Sequence, residues 1–551
     1  MSFKESSFME IMINILSSKR LTMFILLAWF LTIFFAWWFV HPKVDDGIYL
    51  IPAIGTFQIN IPSINFSDSI EPVFFIFPTQ PFLHGIFLKI LNFLFIDISV
   101  DTYRVFNYLS TLVLFYLIYK LFSIVFPNSA YKTFSFNLFL ILLGFSQFSL
   151  QFYVNRPEIP GLLFFTLGLI YFFKFIKSIK KRKLYVLIFS FCFGVSSTFH
   201  PNFMLLSSLM LAYCFYFIIN NKDAYYLKYL TLFFIPVSIL VVWFLINIDI
   251  VQGQLFNRIQ EVSSVSMPGI SNIFSTLAGD ESLTFAHNTY LKIYMLTLLL
   301  ALILSIFYVF RSVNYKNKDF IHMAFSMLVI SSFILLMIMQ PYRPYYLLVS
   351  FLSIISISFF ITNHLSLSSY GKAVYQEKSS KSYSRIIKSI PFILLPLTFP
   401  LSHIAKNFLT NEVYDNPHNT IEALGPFLSA DKHIFITTAQ LLPLFTSQIA
   451  SDFETNNRNI HWYFPVADTP GSRFKELMRQ DINIETHLMQ DAIWGALIIT
   501  TSFNKQNTIA CLSLKGGDFF INLHNPKILF KDTHNIFLTS SEVIPSNKCF
   551  E

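Results

Sequence analysis

Two adjacent carboxylates, Asp45 and Asp46, stand in the run His41-Pro42-Lys43-Val44-Asp45-Asp46-Gly47-Ile48-Tyr49, directly after the first long apolar stretch of the chain. Acids so close to a hydrocarbon boundary are costly unless they face water, a partner or a substrate, which makes an adjacent pair there a candidate site. The plainer alternative is that Asp45 caps a short helix and Asp46 is solvated. Farther along, Arg156-Pro157-Glu158, Arg258 and Arg343 bring guanidinium groups, and His84 and His200 bring imidazoles, to the segments joining the apolar runs. Arginine together with aspartate suits transfer from a lipid-linked phosphate donor. The phosphate leaving group needs positive charge or a metal but scarcely a proton, whereas an incoming hydroxyl needs a base. Adjacent residues point about 100° apart on a helix and to opposite faces of a strand, so Asp45 and Asp46 do not readily share one proton. One is the candidate base, and the other orients it or the acceptor.

Arg156, Arg258 and Arg343 are then candidates for holding the phosphate, and His84, Glu158 and His200 for contacting substrate. Each has a structural alternative. Glu158 near a helix N-terminus suits the helix dipole and can pair with Arg156. Arg343, in Pro341-Tyr342-Arg343-Pro344-Tyr345-Tyr346, can anchor an aromatic belt at the interface. His200, before Pro201, can make a polar contact between helices.

These residues sit in a chain of 551 that is 54% hydrophobic and 13% charged, with 67 phenylalanines against 39 basic and 31 acidic residues. A soluble chain with so few charges could not cover its surface, so this is the composition of a membrane protein. The first apolar run is too long for a signal peptide and lacks a small-residue cleavage site, which marks a retained span. The net charge of +8 is spread over short loops between apolar runs rather than gathered on one soluble face, which carries orientation and argues against nucleic acid as a partner. Of four cysteines, Cys192 and Cys214 fall inside spans, and Cys511 and Cys549 fall in the polar tail, where an oxidising compartment would let them pair. With no CxxC pair and no Cys/His cluster, zinc chemistry is not expected.

Apolar runs of spanning length predict an α-helical multi-pass membrane protein with roughly eleven transmembrane helices, near 21–40, 105–127, 134–150, 159–174, 184–199, 202–219, 229–248, 289–310, 320–340, 345–362 and 389–404. Lys4, Lys19 and Arg20 place the N-terminus in the cytoplasm, and alternation then puts Lys132, Lys174 to Lys183, Lys222 with Lys228, Arg311 to Lys318 and Lys372 to Lys388 on the same side. The acid pair, the Arg156–Glu158 turn, the loop from Asp249 to Asn288 and the Arg343 turn fall outside. Within a first outer loop of about 41–104, Phe82 to Phe95 predicts a helix too short to span and lying in the interface. The two short runs flanking His200-Pro201 are candidates for a broken or re-entrant hairpin. An odd number of spans carries the segment of about 405–551 outside, beyond a membrane domain of about 1–404. Its strands at His433–Thr438, Ala496–Thr500 and Ile536–Thr539, with a helix at Gly471–Gln480, predict a small extracytoplasmic α/β domain without a GxGxxG, P-loop or GxSxG.

The acid pair, the stretch Pro78-Thr79-Gln80-Pro81-Phe82-Leu83 leading into the interfacial helix, Asp101 to Arg104, Arg156-Pro157-Glu158 and an outer C-terminal domain follow one another in an order that resembles the GT-C fold glycosyltransferases using polyprenyl-phosphate sugars. That group includes protein O-mannosyltransferases and lipid A aminoarabinose transferases. The resemblance covers about residues 20 to 362. It implies a membrane enzyme that moves a sugar from a polyprenyl-phosphate-linked donor to a glycan, lipid or protein acceptor on the outer side of the cytoplasmic membrane, by a single inverting displacement. Asp45 takes the first-acid place, basic groups nearby hold the donor phosphate, and membrane lipids surround the spans. Bacterial relatives often carry Glu-Lys where this chain has Thr79-Gln80, so Arg156, Arg258 or Arg343 must supply the charge. No cofactor is certain, and a divalent cation is the alternative counter-charge. Two rival classes remain: a lipid-linked-sugar flippase or transporter, which would carry charges within many spans and pseudo-symmetric halves, and a surface-polysaccharide polymerase or ligase, for which Arg258 in a large outer loop would speak.

Overall fold

The computed structural model describes residues 13, 15–39, 44–65, 70–72, 77–144, 152, 154–178, 180–251, 296, 299–307, 320–338, 343–367, 417–425, 434–436, 439–455, 460–462, 493–494, 497–500, 504–506, 508–514, 519–531, 536–540, 542–546 and 550. Arg258, the expected span at 389–404 and the expected helix at 471–480 lie outside them.

The first span is α1 (Lys19–Phe39). Within the expected outer loop of about 41–104 the chain forms a second helix, α2 (Val44–Ile59), with Pro52 inside it. Pro52 removes one backbone hydrogen bond, yet Tyr49, Leu50, Ile51, Ala53 and Ile54 are all buried, and this burial holds the helix together despite the proline. A two-stranded antiparallel hairpin follows, β1 (Ser63–Asn65) with β2 (Ile70–Pro72). Then comes α3 (Thr79–Phe93), where a short helix was expected at Phe82 to Phe95, which buries Gln80, Pro81, His84, Gly85 and Leu88 on one face. Its far end exposes Ile90, Phe93, Leu94 and Phe95, an apolar tip suited to a bilayer surface. α2 and α3 approach so closely that a Cβ at Gly85 would stand 2.4 Å from the Thr56 Cβ and 2.5 Å from the Ala53 carbonyl oxygen. Only glycine fits there.

The helical part continues with α4 (Val100–Val125), opened by a Ser99/Thr102 capping box, α5 (Ser129–Gly144), α6 (Glu158–Lys177), α7 (Arg182–Ser197) and α8 (Pro201–Asn220). A 3₁₀ segment (Ala224–Phe233) runs into α9 (Phe234–Ile246), and α10 (Phe320–Ile338) and α11 (Arg343–Leu367) follow. Among the described residues five helices are long and apolar enough to cross a membrane: Lys19–Trp38, Val100–Val125, Glu158–Lys177, Pro201–Asn220 and Ala224–Ile246. α7 and α8 pack on each other across the turn at Thr198–His200, and α8 alone has spanning length, so the His200-Pro201 turn separates two helices rather than breaking one span. Much of the interior is aromatic. Trp29, Phe115 and Phe152 meet edge to face with centroids 5.4–5.9 Å apart, the arrangement their ring quadrupoles favour.

The C-terminal part holds two five-stranded sheets. One has the order β10 (Lys527–Lys531), β11 (Ile536–Thr539), β6 (Leu497–Thr500), β3 (Ile434–Ile436), β4 (Ile460–Trp462), so the three strands expected from sequence are the adjacent β11, β6 and β3. β3 pairs in parallel with both β4 and β6. The second sheet, entirely antiparallel, is β5 (Ile493–Trp494), β12 (Glu542–Ser546), β9 (Phe519–His524), β8 (Ile509–Leu514) and β7 (Asn504–Gln506). Described helices here are α12 (Pro417–Leu424) and α13 (Thr446–Thr455). Cys511 on β8 is disulfide-bonded, and its expected partner Cys549 lies outside the described residues. The C-terminal part sits directly on α2: Tyr49, Leu50, Ala53 and Ile54 share one buried cluster with Val100, Tyr103, Leu424, Ile434, Ile436, Phe445 and Phe537. Gln58 Nε2 adds a bond to the Ala450 carbonyl at 3.0 Å.

Candidate active site

Three side chains of α4 and α3 fix where the acid pair stands. Arg104 is buried and donates Nη1 to the Trp37 carbonyl at 2.6 Å and Nη2 to the Ala36 carbonyl at 3.5 Å. It thereby satisfies the last carbonyls of α1, where a cation also suits the helix dipole. Tyr103 donates its hydroxyl to the Asp46 carbonyl oxygen at 2.6 Å, tying the first turn of α2 to α4. His84 in turn donates Nε2–H to the Tyr103 carbonyl at 2.7 Å, its ring stacked between Tyr103 (4.4 Å) and Phe106 (4.6 Å). Complete burial pushes the His84 pKa down to about 3, opposed in part by that hydrogen bond. The imidazole is therefore neutral, and through Nε2 it positions α3 on α4, while Nδ1 is buried without a hydrogen-bond partner among the described residues.

Asp46 is not solvated. Its side chain is wholly enclosed, and Oδ1 accepts the backbone N–H of Asn155 at 2.7 Å. That bond joins α2 to the segment Asn155-Arg156-Pro157 that opens α6. Immediately after it, Arg156 and Glu158 form a two-point ion pair, Nε to Oε2 at 3.0 Å and Nη2 to Oε1 at 2.8 Å, with both side chains nearly buried. Glu158 stands at the N-terminus of α6, where the helix dipole favours a carboxylate. The His200 ring lies close enough to interact with the Glu158 charge. His200 also caps α8, its Nδ1 accepting the Asn202 N–H at 3.2 Å. Gly161 permits this junction, since a Cβ there would meet the Phe203 ring at 2.5 Å. Phe77, just before α3, reaches the same place, 6.5 Å from the His200 ring and 6.2 Å from Phe244.

The structure thus brings together Asp46, Arg156, Glu158 and His200. Asp45 occupies the first turn of α2 one residue before Asp46, and Arg343 is the first residue of α11. Several neutral groups were not singled out from sequence as site residues. Both side-chain polar atoms of Asn155 and of Gln80, and Oδ1 of Asn202, are buried without a hydrogen-bond partner among the described residues. Such amides have unused donors and acceptors that a polyhydroxy ligand could meet. One sign in the sequence bears on this: Thr79-Gln80 stands where the glycosyltransferases that the chain resembles often carry Glu-Lys. Among the described residues no three His, Cys, Asp or Glu side chains gather closely enough to hold a metal ion.

No model of a known protein family and no curated protein sequence matches the chain. Among solved structures, the chain is similar to ArnT from Cupriavidus metallidurans bound to undecaprenyl phosphate, with a TM-score of 0.53 and 10% identity over 94% of this chain and 97% of ArnT. ArnT in the apo state gives the same values. The Archaeoglobus fulgidus oligosaccharyltransferase, tethered to an acceptor peptide, gives a TM-score of 0.46 and 12% identity over 88% of this chain and 69% of its own. At 10% identity the likeness to ArnT is one of fold. It makes the chain a GT-C-like, largely α-helical multi-pass membrane protein with a small C-terminal β-sheet domain.

Proposed function

We propose that this protein is a membrane glycosyltransferase that moves one sugar from a polyprenyl-phosphate carrier to a hydroxyl of a glycan, lipid or protein acceptor on the outer side of the cytoplasmic membrane. The observation that carries the reading is the Asp46–Asn155 bond, which clamps the acid-pair helix against the Arg156–Glu158 turn inside a GT-C-like fold. Asp46 is engaged in that clamp, and Asp45, which takes the first-acid place of the glycosyltransferases that the chain resembles, is proposed as the base. The ArnT of similar fold binds undecaprenyl phosphate, and a donor of that class is proposed here.

In the reaction the acceptor oxygen attacks the anomeric carbon and its proton passes to Asp45. The bond from that carbon to the phosphate oxygen breaks, and the electron pair leaves with the polyprenyl phosphate, inverting the anomeric centre. Arg156 is engaged by Glu158. Arg258 and Arg343 are therefore the first candidates for stabilising the leaving phosphate, and Arg156 joins them when Glu158 releases it. The open amides of Asn155, Gln80 and Asn202, with His200 and Glu158, form the group proposed to meet hydroxyls. The disulfide at Cys511 supports an oxidising, extracytoplasmic side for the C-terminal domain, and a cytoplasmic N-terminus follows from the basic loops. Mass analysis of surface glycans from cells with and without the protein tests the reading. An acceptor lighter by one sugar residue in its absence is expected, and unchanged glycans would overturn it.

A further inference from the structure

At the far end of the helices from the acid pair, lysines are arrayed on tyrosine rings. α6 runs from Glu158 to Lys177, so its C-terminal end stands roughly 30 Å from the candidate site by helical rise. Lys174 lies 4.4 Å over the Tyr171 ring. Lys183, near the start of α7, lies 5.3 Å over Tyr229, and Lys228 lies 4.4 Å over Tyr225 and 5.3 Å over the same Tyr229. Lys180, Lys181 and Lys222 are exposed on the flanking turns. One acid stands in these turns, Asp223, and Arg182 takes it at 2.6 Å. Lys177 is used structurally, donating to the carbonyls of Ile124 and Val125 at 2.7 and 2.8 Å.

A preference of basic loops for one side of the membrane explains how many lysines are here, but not how they are held. Lys183 and Lys228 share a single ring, which puts their ammonium groups within about 11 Å of each other, with no carboxylate partner for either among the described residues. Through water their mutual repulsion at this spacing is weak, and an anion lying between them is attracted to both. The Tyr225 and Tyr229 hydroxyls are bonded to each other at 2.9 Å. One donates to the other, so the acceptor of that bond keeps its own O–H for an outside oxygen. The scaffold beneath is closely fitted: a Cβ at Gly194 would stand 2.3 Å from the Phe233 carbonyl oxygen, so glycine lets the 3₁₀ segment lie on α7. Tyr226 packs inward on Phe175 at 5.5 Å while Tyr225 is exposed.

From this placement we infer that the Lys183–Tyr229–Lys228 face is a binding site for the phosphate head group of an anionic phospholipid, in the leaflet opposite the candidate active site. Two ammonium groups flank the phosphate, a tyrosine hydroxyl donates to it, and the exposed apolar side chains of α9 line the acyl chains. The full-length chain, reconstituted in nanodiscs of phosphatidylcholine mixed with phosphatidylglycerol and released for native mass spectrometry, tests this. Wild type is expected to retain phosphatidylglycerol selectively, Lys183→Gln/Lys228→Gln to lose that retention by about tenfold or more, and Lys89→Gln at the opposite end to keep it. Equal retention by wild type and the double variant, with both folded and inserted in the same orientation, would overturn the site. Displacement of the lipid by inorganic phosphate at physiological concentration would also overturn it, by making this a site for the free anion.

Discussion

Replacing Asp46 separates positioning from chemistry. In Asp46→Ala the Asn155 N–H loses the carboxylate it meets at 2.7 Å in a fully enclosed place. A hydrogen bond to a charged group is worth about 1.5–3 kcal/mol, and a buried donor left unmet costs about 1–3 kcal/mol, so local opening should become easier by about 2 kcal/mol. Because 1.4 kcal/mol is tenfold, the Asn155 amide should exchange with solvent deuterium roughly 30-fold faster in hydrogen-exchange mass spectrometry of peptides covering 152–158. Asp46→Asn keeps an oxygen in place but not its charge, and a neutral bond of about 0.5–1.5 kcal/mol should leave protection between the two. The bond from Tyr103 to the Asp46 backbone survives both changes, so α2 should stay docked on α4. Unchanged exchange at Asn155 together with complete loss of sugar transfer would refute the clamp and make Asp46 a reacting group.

Other consequences can be checked separately. Gly85→Val should force α2 and α3 apart at Thr56 and Ala53 and lower stability by about 1–3 kcal/mol, read as thermal unfolding in detergent; an unshifted midpoint would contradict the close approach. His84 is held neutral with its pKa near 3, below the usual value of 6.5, so the unfolded chain takes up a proton that the folded one refuses. Stability should therefore be intact above pH 6.5 and fall as the pH drops toward 3, by about 2 kcal/mol at pH 5. His84→Phe should flatten that part of the pH profile, and parallel profiles would contradict the assignment. Because Cys511 is buried, its disulfide is read after denaturation: it should stay unalkylated in protein denatured without reductant and react once a reductant is added. Free reactivity there would place the C-terminal part in a reducing compartment.

The helices of spanning length were legible because a lipid-crossing run needs length and apolarity alone, which is why α1, α4, α6 and α8 stand close to where the sequence put them. α2 was not. It lay within the expected outer loop, with Pro52 against a helix of this length, and what holds it helical is packing on α3, the 3₁₀ segment Ala439–Phe445 and α13, the last two distant in the chain. The same reason hid the antiparallel second sheet, whose strands carry polar residues such as Asn522 that only tertiary packing buries. Within the site, Asp46, Arg156, Glu158 and His200 could be singled out because charged or ionisable groups at a membrane boundary are scarce. Tyr103, Asn155 and Asn202 could not, since a neutral polar side chain looks the same in sequence whether solvated or sealed beside a carboxylate. The stacking of His84 between Tyr103 and Phe106 was equally hidden, since it depends on packing between α3 and α4.

The central claim, that Asp45 removes the acceptor's proton, is tested most directly by the surface glycans of cells that carry Asp45→Asn in place of the wild-type chain at equal membrane abundance. Loss of a positioned general base costs about 10²- to 10⁴-fold in rate. The account predicts an acceptor lighter by one sugar residue, matching cells that lack the protein, while the purified variant still binds polyprenyl phosphate. Glycans of wild-type mass in the Asp45→Asn cells would contradict it.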